Sequence, residues 1–252
     1  MLRAADLAEI VAYLDRFLHA EQYPEEQPSN GLLVRAGKAV MRIAAAVSTS
    51  FTAIRGAQQA GAQLLLVHHT TWAHIDLHLK QEKEEALRAA GISLYGAHAA
   101  LDCAPEIGNP DSLARLAGVQ VQGRFLQWLG GQPGVYGRAE GTFPEFAARV
   151  QDALGVPVQS WENNRAFGRV AIVTGAGGGT PMLDAARQLG CDTYLTGEGT
   201  LDSKLFAREV GLNLIFGTHY ATEAPGIKSL AEHVGSQFEL PWTFVPEAAG
   251  IL

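Results

Sequence analysis

Two adjacent histidines, His68 and His69, follow an uninterrupted apolar run, Leu64–Val67. Such a run predicts a strand that is buried on both faces. Neighbouring side chains of a strand point to opposite faces, but both imidazoles can converge beyond the sheet where the strand ends and the chain turns. Open α/β sheets place their sites there, and neutral imidazole is the commonest metal ligand. The pair therefore predicts a metal centre, the alternative being one core and one surface histidine.

Two later segments also end in a histidine that is followed by a carboxylate four residues on. His98 closes a short apolar stretch and precedes Asp102, and His219 closes another and precedes Glu223. Residues i and i+4 lie on one face of a helical first turn. Each histidine–carboxylate pair can therefore bind an ion through both of its groups.

The segments that carry these residues resemble each other. In both 60–69 and 189–198 a helix ends at a glycine and a strand then runs on to polar residues. An internal repeat of this kind indicates two related α/β halves. We expect an α/β fold with mixed sheets flanked by helices, with approximate halves 1–125 and 126–252 facing each other across a shared metal site.

Periodicity and capping residues predict several individual elements. Residues 2–18 have apolar side chains at helical spacing, and residues 40–47 have the composition of a strand. The Ser-Thr-Ser sequence at 48–50 is typical of a helix cap and predicts a helix over 51–60. A second helix is predicted over 143–154, because a threonine precedes it and a proline lies at its start.

A glycine-rich turn, Gly175–Gly179, follows a predicted strand and precedes a predicted helix. This order is typical of a dinucleotide-binding fingerprint, but Thr180 stands where the third glycine of the pattern belongs. The alternative is a tight strand-to-helix turn that passes close to another part of the structure, such as the wall of the site.

Some polar residues have both a functional and an ordinary interpretation. If the substrate carries phosphates, Lys204, Arg208 and Lys228 are candidate partners, together with the amides of the glycine-rich turn. The alternative for the lysine–arginine pair is a solvated helix face. His74 and His78 also have i, i+4 spacing, but no strand end with a carboxylate accompanies them, which favours a surface or interface pair.

The composition excludes several classes of protein. The 252 residues are 47% hydrophobic and carry a formal net charge of -7, which argues against nucleic acid as the main partner. Two cysteines provide no disulfide framework and are typical of a reducing cytoplasm. No apolar run approaches the ~18 residues of a membrane helix, and the acidic N-terminal segment is not a signal peptide. We expect a cytoplasmic protein without a membrane partner.

Five short motifs occur in order along nearly the whole chain: Asn30–Leu32, His68–His69, His98–Asp102, Thr196–Glu198 and His219–Glu223. Together they resemble the Nif-three-like family, whose members are also called GTP cyclohydrolase 1 type 2 homologues. The resemblance implies two intertwined α/β halves, a toroidal homohexamer and a dinuclear metal centre in each subunit. The exposed-looking Trp128 and Trp242 are consistent with such an assembly, the alternative being that these tryptophans fill the core.

The resemblance also implies which residues bind the ions: His68, His69, Asp102, His219 and Glu223. It places His98 near the site without making it a ligand, and it leaves open the role of Glu198. The chain departs from the family at Thr70, where proline is frequent, and at Ser48, where aspartate is frequent. Both positions are next to the site and bear on the contacts that orient its ligands.

Three imidazoles and two carboxylates are too many for one tetrahedral ion that keeps a water, but they suit two divalent ions. Zinc, iron, manganese, cobalt and nickel all accept this ligand set. Two such ions would make hydroxide available near neutral pH, so we expect a metal-dependent hydrolase similar to GTP cyclohydrolase 1 type 2, with a small-molecule and possibly nucleotide substrate. The alternative is a non-catalytic metal carrier, metal-insertion factor or regulatory scaffold.

Overall fold

The computed structural model describes residues 4–23 and 29–248, apart from the side chains of residues 73 and 74. The elements given below are those of the described residues. The chain divides into two compact units. The first unit runs to Ala104 and resumes at Ile227, and the second unit is Pro105–Gly226.

The first unit contains a five-stranded sheet. Three of its strands are joined by helices and run parallel to one another. Its sheet order is β13-β4-β5-β6-β2, with β2 antiparallel to β6 and the other pairs parallel. The elements are β1 (Ala5–Asp6), α1 (Leu7–Phe17), β2 (Asn30–Val34), β3 (Ala39–Val40), β4 (Ile43–Ser48), α2 (Phe51–Gln59), β5 (Leu64–His69), α3 (Ala73–Ala89), β6 (Ser93–Ala97) and α4 (Ala99–Asp102), followed after the second unit by β13 (Trp242–Phe244).

The second unit repeats this arrangement in a six-stranded sheet. The order is β7-β8-β10-β11-β12-β9, and the three central strands β10, β11 and β12 are parallel. The elements are α5 (Asn109–Leu116), β7 (Gln120–Phe125), β8 (Gly134–Arg138), α6 (Phe143–Leu154), β9 (Gln159–Trp161), β10 (Arg169–Val173), α7 (Thr180–Gln188), β11 (Thr193–Thr196), α8 (Leu201–Val210), β12 (Asn213–Phe216) and α9 (His219–Phe238), which continues into the first unit.

The predicted mixed α/β fold with two related halves is confirmed, because each unit contains a parallel β-α-β-α-β segment. The parallel strands are covered by helices on both faces, so their apolar runs are buried throughout. Each unit has its own apolar core, centred on Leu65 and Val67 in the first and on Ile172, Leu195 and Ile215 in the second.

The units differ from the predicted halves 1–125 and 126–252. Strand β7 ends at Phe125 but pairs with β8, so it belongs to the second unit. Strand β13 pairs with β4, so the last strand belongs to the first unit. The boundaries are set by these strand pairs, which join residues far apart in sequence.

Two predicted elements have different bounds. The first helix was predicted over 2–18, but α1 begins at Leu7, because the carboxylate of Asp6 caps it by accepting the amide of Ala8. The strand predicted over 40–47 is two strands, β3 and β4. The other two helices agree with prediction: the Ser50 hydroxyl caps α2, and α6 covers 143–154. None of the helices in the described residues is both long and apolar enough to cross a membrane.

Candidate metal centre

His68 and His69 are the last two residues of β5, and both are buried. Their ring centroids lie 4.5 Å apart with an interplanar angle of 64°. The Nδ1 of His68 lies 2.8 Å from the carbonyl oxygen of Ala97, to which it donates, so the lone pair of this ring is on Nε2. That Nε2 is 3.7 Å from Oδ1 of the buried Asp102. The first unit therefore brings three of the predicted ligands together.

His98 joins this group. It immediately precedes α4, and its ring centroid lies 4.8 Å from that of His68 and 5.1 Å from that of His69. One ring nitrogen from each of the three histidines lies within 4.8 Å of the other two. The side chain of Asn30 holds His98 in place by accepting its backbone amide at 2.8 Å. These three histidines could hold a metal ion, so His98 is a further candidate ligand.

Trp72 is a residue of this group that the sequence analysis missed. Its ring centroid lies 4.2 Å from that of His69, and its indole N–H donates to Oγ of Ser48 at 3.1 Å. The ring therefore covers one face of His69 and restricts its orientation. The group that accepts the indole proton is the neutral hydroxyl of Ser48. An aromatic residue three positions after the paired histidines was the only available signal.

In the second unit, β12 leads into α9, whose first residue is His219. The Nε2 of His219 lies 3.2 Å from Oε1 of Glu223, one helical turn further on. Its Nδ1 lies 2.9 Å from Oε1 of Glu198, which follows β11. The predicted His219–Glu223 pair is thus formed, and Glu198 is the residue that orients its imidazole. Carboxylates that hold the second nitrogen of a histidine are common around bound metals.

The glycine-rich turn passes directly beside this pair. Gly175 has φ +63°, and a Cβ at this position would collide with Oε1 of Glu223 and lie 3.0 Å from Nε2 of His219. The carbonyl oxygen of Gly177 accepts the hydroxyl of Tyr194 at 2.7 Å. These contacts favour a close approach to the wall of the site over a dinucleotide-binding turn.

The donor set fits divalent metal ions. In each unit a second contact fixes which imidazole nitrogen carries the proton, and a buried carboxylate lies beside the other nitrogen. Imidazole and carboxylate groups are the ligands of Zn, Fe, Mn, Co and Ni sites. Because residue 175 is a glycine, no Cβ competes with the Glu223 carboxylate for the space that it occupies.

The candidate phosphate-binding cations have other neighbours. The ammonium of Lys204 lies 4.8 Å from the ring centroid of Trp161, and that of Lys228 lies 4.4 Å from the ring centroid of Phe244. Arg208 is exposed on α8. Of the His74 and His78 pair, His78 is exposed, and the His74 side chain lies outside the described residues.

The pKa of His219 depends on its two carboxylate neighbours. Burial lowers this pKa, but Glu223 and Glu198 together outweigh burial and raise it from 6.5 to about 9. Because the folded-state pKa is the higher one, the charged ring stabilises the metal-free protein fully below about pH 6.5. This stabilisation is lost as the pH rises through 9.

Replacing Glu198 with glutamine should lower the pKa of His219 in metal-free protein. The amide oxygen still accepts a hydrogen bond from Nδ1, but the negative charge that favours the protonated ring is gone. An NMR titration of the His219 ring should show a midpoint near 9 in the wild type and a lower one in Glu198→Gln. The exposed Glu162→Gln is the matched control and should leave the midpoint unchanged. Equal midpoints in Glu198→Gln and wild type would contradict this role.

The comparisons with known proteins agree with this description. The family model for Duf34/NIF3 (NGG1p interacting factor 3) matches residues 5–249. A protein of Deinococcus radiodurans named GTP cyclohydrolase 1 type 2 homolog is 34% identical over 252 residues, covering 96% of this chain and 94% of its own. A protein of the same name from Pyrococcus horikoshii is 34% identical over 259 residues, covering 98% of this chain and 100% of its own.

Solved structures have the same fold. The structure described as protein ybgI, of unknown function, superposes with a TM-score of 0.85 at 29% identity, covering 96% of this chain and 98% of its own. The structure of TTHA1606 from Thermus thermophilus superposes with a TM-score of 0.81 at 29% identity. The match covers 98% of this chain and 100% of TTHA1606. With a family model that spans almost all of its residues and relatives above 30% identity along its length, this chain belongs to the Duf34/NIF3 family.

Proposed function

We propose that this protein is a dinuclear metal-dependent hydrolase, similar to GTP cyclohydrolase 1 type 2, with His68, His69, Asp102, His219 and Glu223 as its metal ligands. The observation that carries the proposal is an arrangement of imidazole and carboxylate groups that occurs in both units. Each presents an imidazole whose protonated nitrogen has an acceptor and whose other nitrogen faces a carboxylate. Neither set alone supplies the ligands of two ions, whereas the five residues together do.

The residues of the chain have distinct roles in this proposal. The Ala97 carbonyl and the Glu198 carboxylate keep the Nε2 lone pairs of His68 and His219 available for ligation. Trp72 shields one face of His69 from water. When bound, two divalent ions lower the pKa of a shared water towards neutrality and supply hydroxide for hydrolysis.

A second candidate, a non-catalytic metal-binding protein, is favoured by one observation. A triphosphate needs cationic partners, yet Lys204 and Lys228 each lie over an aromatic ring. A metal carrier, metal-insertion factor or regulatory scaffold has no need of phosphate-binding cations. It would release its metal to chelators readily and would show no turnover.

Metal analysis followed by a substrate screen distinguishes the two candidates. The purified protein is loaded with each candidate metal and assayed with GTP and with phosphoesters, beside a Lys204→Ala/Arg208→Ala variant. We expect metal-dependent turnover by the wild type, and reduced GTP turnover at full metal content in the variant if the pair binds phosphate. If the fully metallated wild type neither binds nor turns over any of these substrates, the non-catalytic candidate replaces the hydrolase.

The protein is also expected to assemble into a homohexamer. Trp128 is 38% exposed, a large apolar side chain of the kind that subunit interfaces cover. Light scattering should give about six times the chain mass of 26.9 kDa. A measured mass equal to that of one chain would rule the assembly out.

A further inference from the structure

A cavity of about 170 Å³ lies in the first unit, lined by residues that follow β4 and β5 and by residues of α3. Open α/β sheets bind ligands in crevices outside the carboxyl ends of their strands. The cavity is lined by both apolar and polar residues. The apolar residues include Leu33, Val34, Leu87 and Leu94, and the polar residues include Thr49, Asp76 and Lys83.

The ammonium group of Lys83 has one hydrogen to offer to a ligand. Lys83 is only 6% exposed and forms a buried ion pair with Asp76. It also donates to the carbonyl oxygen of Thr49 at 2.8 Å. An ammonium has three donor hydrogens. Among the side chains that the structure describes, no partner takes the third.

The hydroxyl of Thr49 is a second donor in the lining of the cavity. Thr49 is 3% exposed, and no described residue forms a hydrogen bond with its Oγ1. Buried hydroxyls are normally hydrogen-bonded, because burial without a partner is costly. The Thr49 hydroxyl and the Lys83 ammonium therefore provide two adjacent donors for one ligand.

The charges around the cavity favour a ligand with a single negative charge. Asp76 neutralises Lys83, and Glu84 pairs with Arg88 at 3.0 Å. Lys80 lines the cavity and forms no ion pair with a described residue. One positive charge, that of the exposed Lys80, thus remains uncompensated in the lining.

We propose that this cavity binds a small monocarboxylate with a short aliphatic chain. Its carboxylate oxygens accept the free hydrogen of Lys83 and the hydroxyl of Thr49, and its alkyl group packs against the leucines and Val34. The positive charge of Lys80 balances the negative charge of the bound carboxylate. The volume corresponds to about six water molecules at roughly 30 Å³ each, which suits a ligand the size of butyrate.

Titration calorimetry with butyrate tests the proposal on the full-length, metal-loaded protein. We expect saturable binding of one butyrate per chain. Butyramide, which has the same shape without the charge, should bind at least about tenfold more weakly, because hydrogen bonds to charged groups are the stronger ones. Equal binding of the two ligands, or none of butyrate, would overturn the proposal.

Thr49→Val is the decisive variant, because valine has the same shape as threonine and lacks the hydroxyl. We expect about tenfold weaker butyrate binding. Since Oγ1 has no partner among the described residues, the melting temperature without ligand should not fall, so lost binding cannot be attributed to misfolding. Unchanged affinity in Thr49→Val would show that butyrate does not use this cavity.

Asp102→Ala distinguishes the cavity from the proposed metal centre, since carboxylates also bind to metal ions. Butyrate binding should survive this substitution. If it is lost in Asp102→Ala and kept in Thr49→Val, the butyrate is bound at the metals and the cavity proposal fails, while the proposed hydrolase is unaffected.

Discussion

Replacing Asp102 with alanine is expected to abolish binding of at least one metal ion. Asp102 is buried, and its carboxylate lies 3.7 Å from Nε2 of His68. On the proposed assignment Asp102 would help to hold both ions, so its removal would weaken both sites. Metal content should fall from two ions per chain to one or none, as measured by elemental analysis after dialysis.

The same substitution should remove metal-dependent stabilisation. An ion present at about 100 times its Kd stabilises the folded protein by about 2.7 kcal/mol, so metal should raise the melting temperature of the wild type but not that of Asp102→Ala. Asp152→Ala, which removes an exposed aspartate of α6, is the control and should behave as the wild type. Stoichiometric binding of two ions by Asp102→Ala would rule out the assignment.

Gly175→Ala should disrupt the His219–Glu223 pair. The added methyl group would collide with Oε1 of Glu223, a buried side chain with little room to move. The φ of +63° adds backbone strain of about 1–2 kcal/mol for any residue other than glycine. We expect metal affinity to fall by about 10- to 100-fold, as it does when the orientation of a ligand is lost.

Gly190→Ala is the matched control for backbone strain. Gly190 also has a positive φ, +74°, but a Cβ there would meet no atom within 4 Å. Both variants should therefore lose similar stability from strain, while only Gly175→Ala should lose metal. If calorimetric titration with zinc gives equal affinities for the two variants, Gly175 is needed for the turn alone.

Local signals in the sequence predicted much of the fold. Strand β5 could be predicted because four consecutive aliphatic residues permit only a buried element. Helix α6 could be predicted to the residue because Thr142 precedes it and Pro144 lies at its start, and the structure adds a capping box between Thr142 and Glu145. The His219–Glu223 pair followed from helical spacing, since it needs only one turn of α9.

Contacts between distant residues could not be predicted. The unit boundaries depend on which strand pairs with β4, and β13 is almost 200 residues away. The packing of Trp72 on His69 depends on how α3 begins, where the backbone amide of Trp72 is held by Asp76. Glu198 was recognised within a motif, but its role required the distance to His219, which only the folded second unit provides.

The pairing of β13 with β4 has a consequence for synthesis on the ribosome. Strand β4 is made early, but its neighbour, Trp242–Phe244, follows only after the entire second unit. At about 5–20 residues per second, the backbone edge of β4 waits roughly ten to forty seconds for its partner. Its sequence, Ile-Ala-Ala-Ala-Val-Ser, is apolar and uncharged, so the nascent first unit presents an edge on which strands of other chains can pair. Synthesis of β13, rather than completion of the first βα segments, therefore marks the end of this edge's exposure to aggregation.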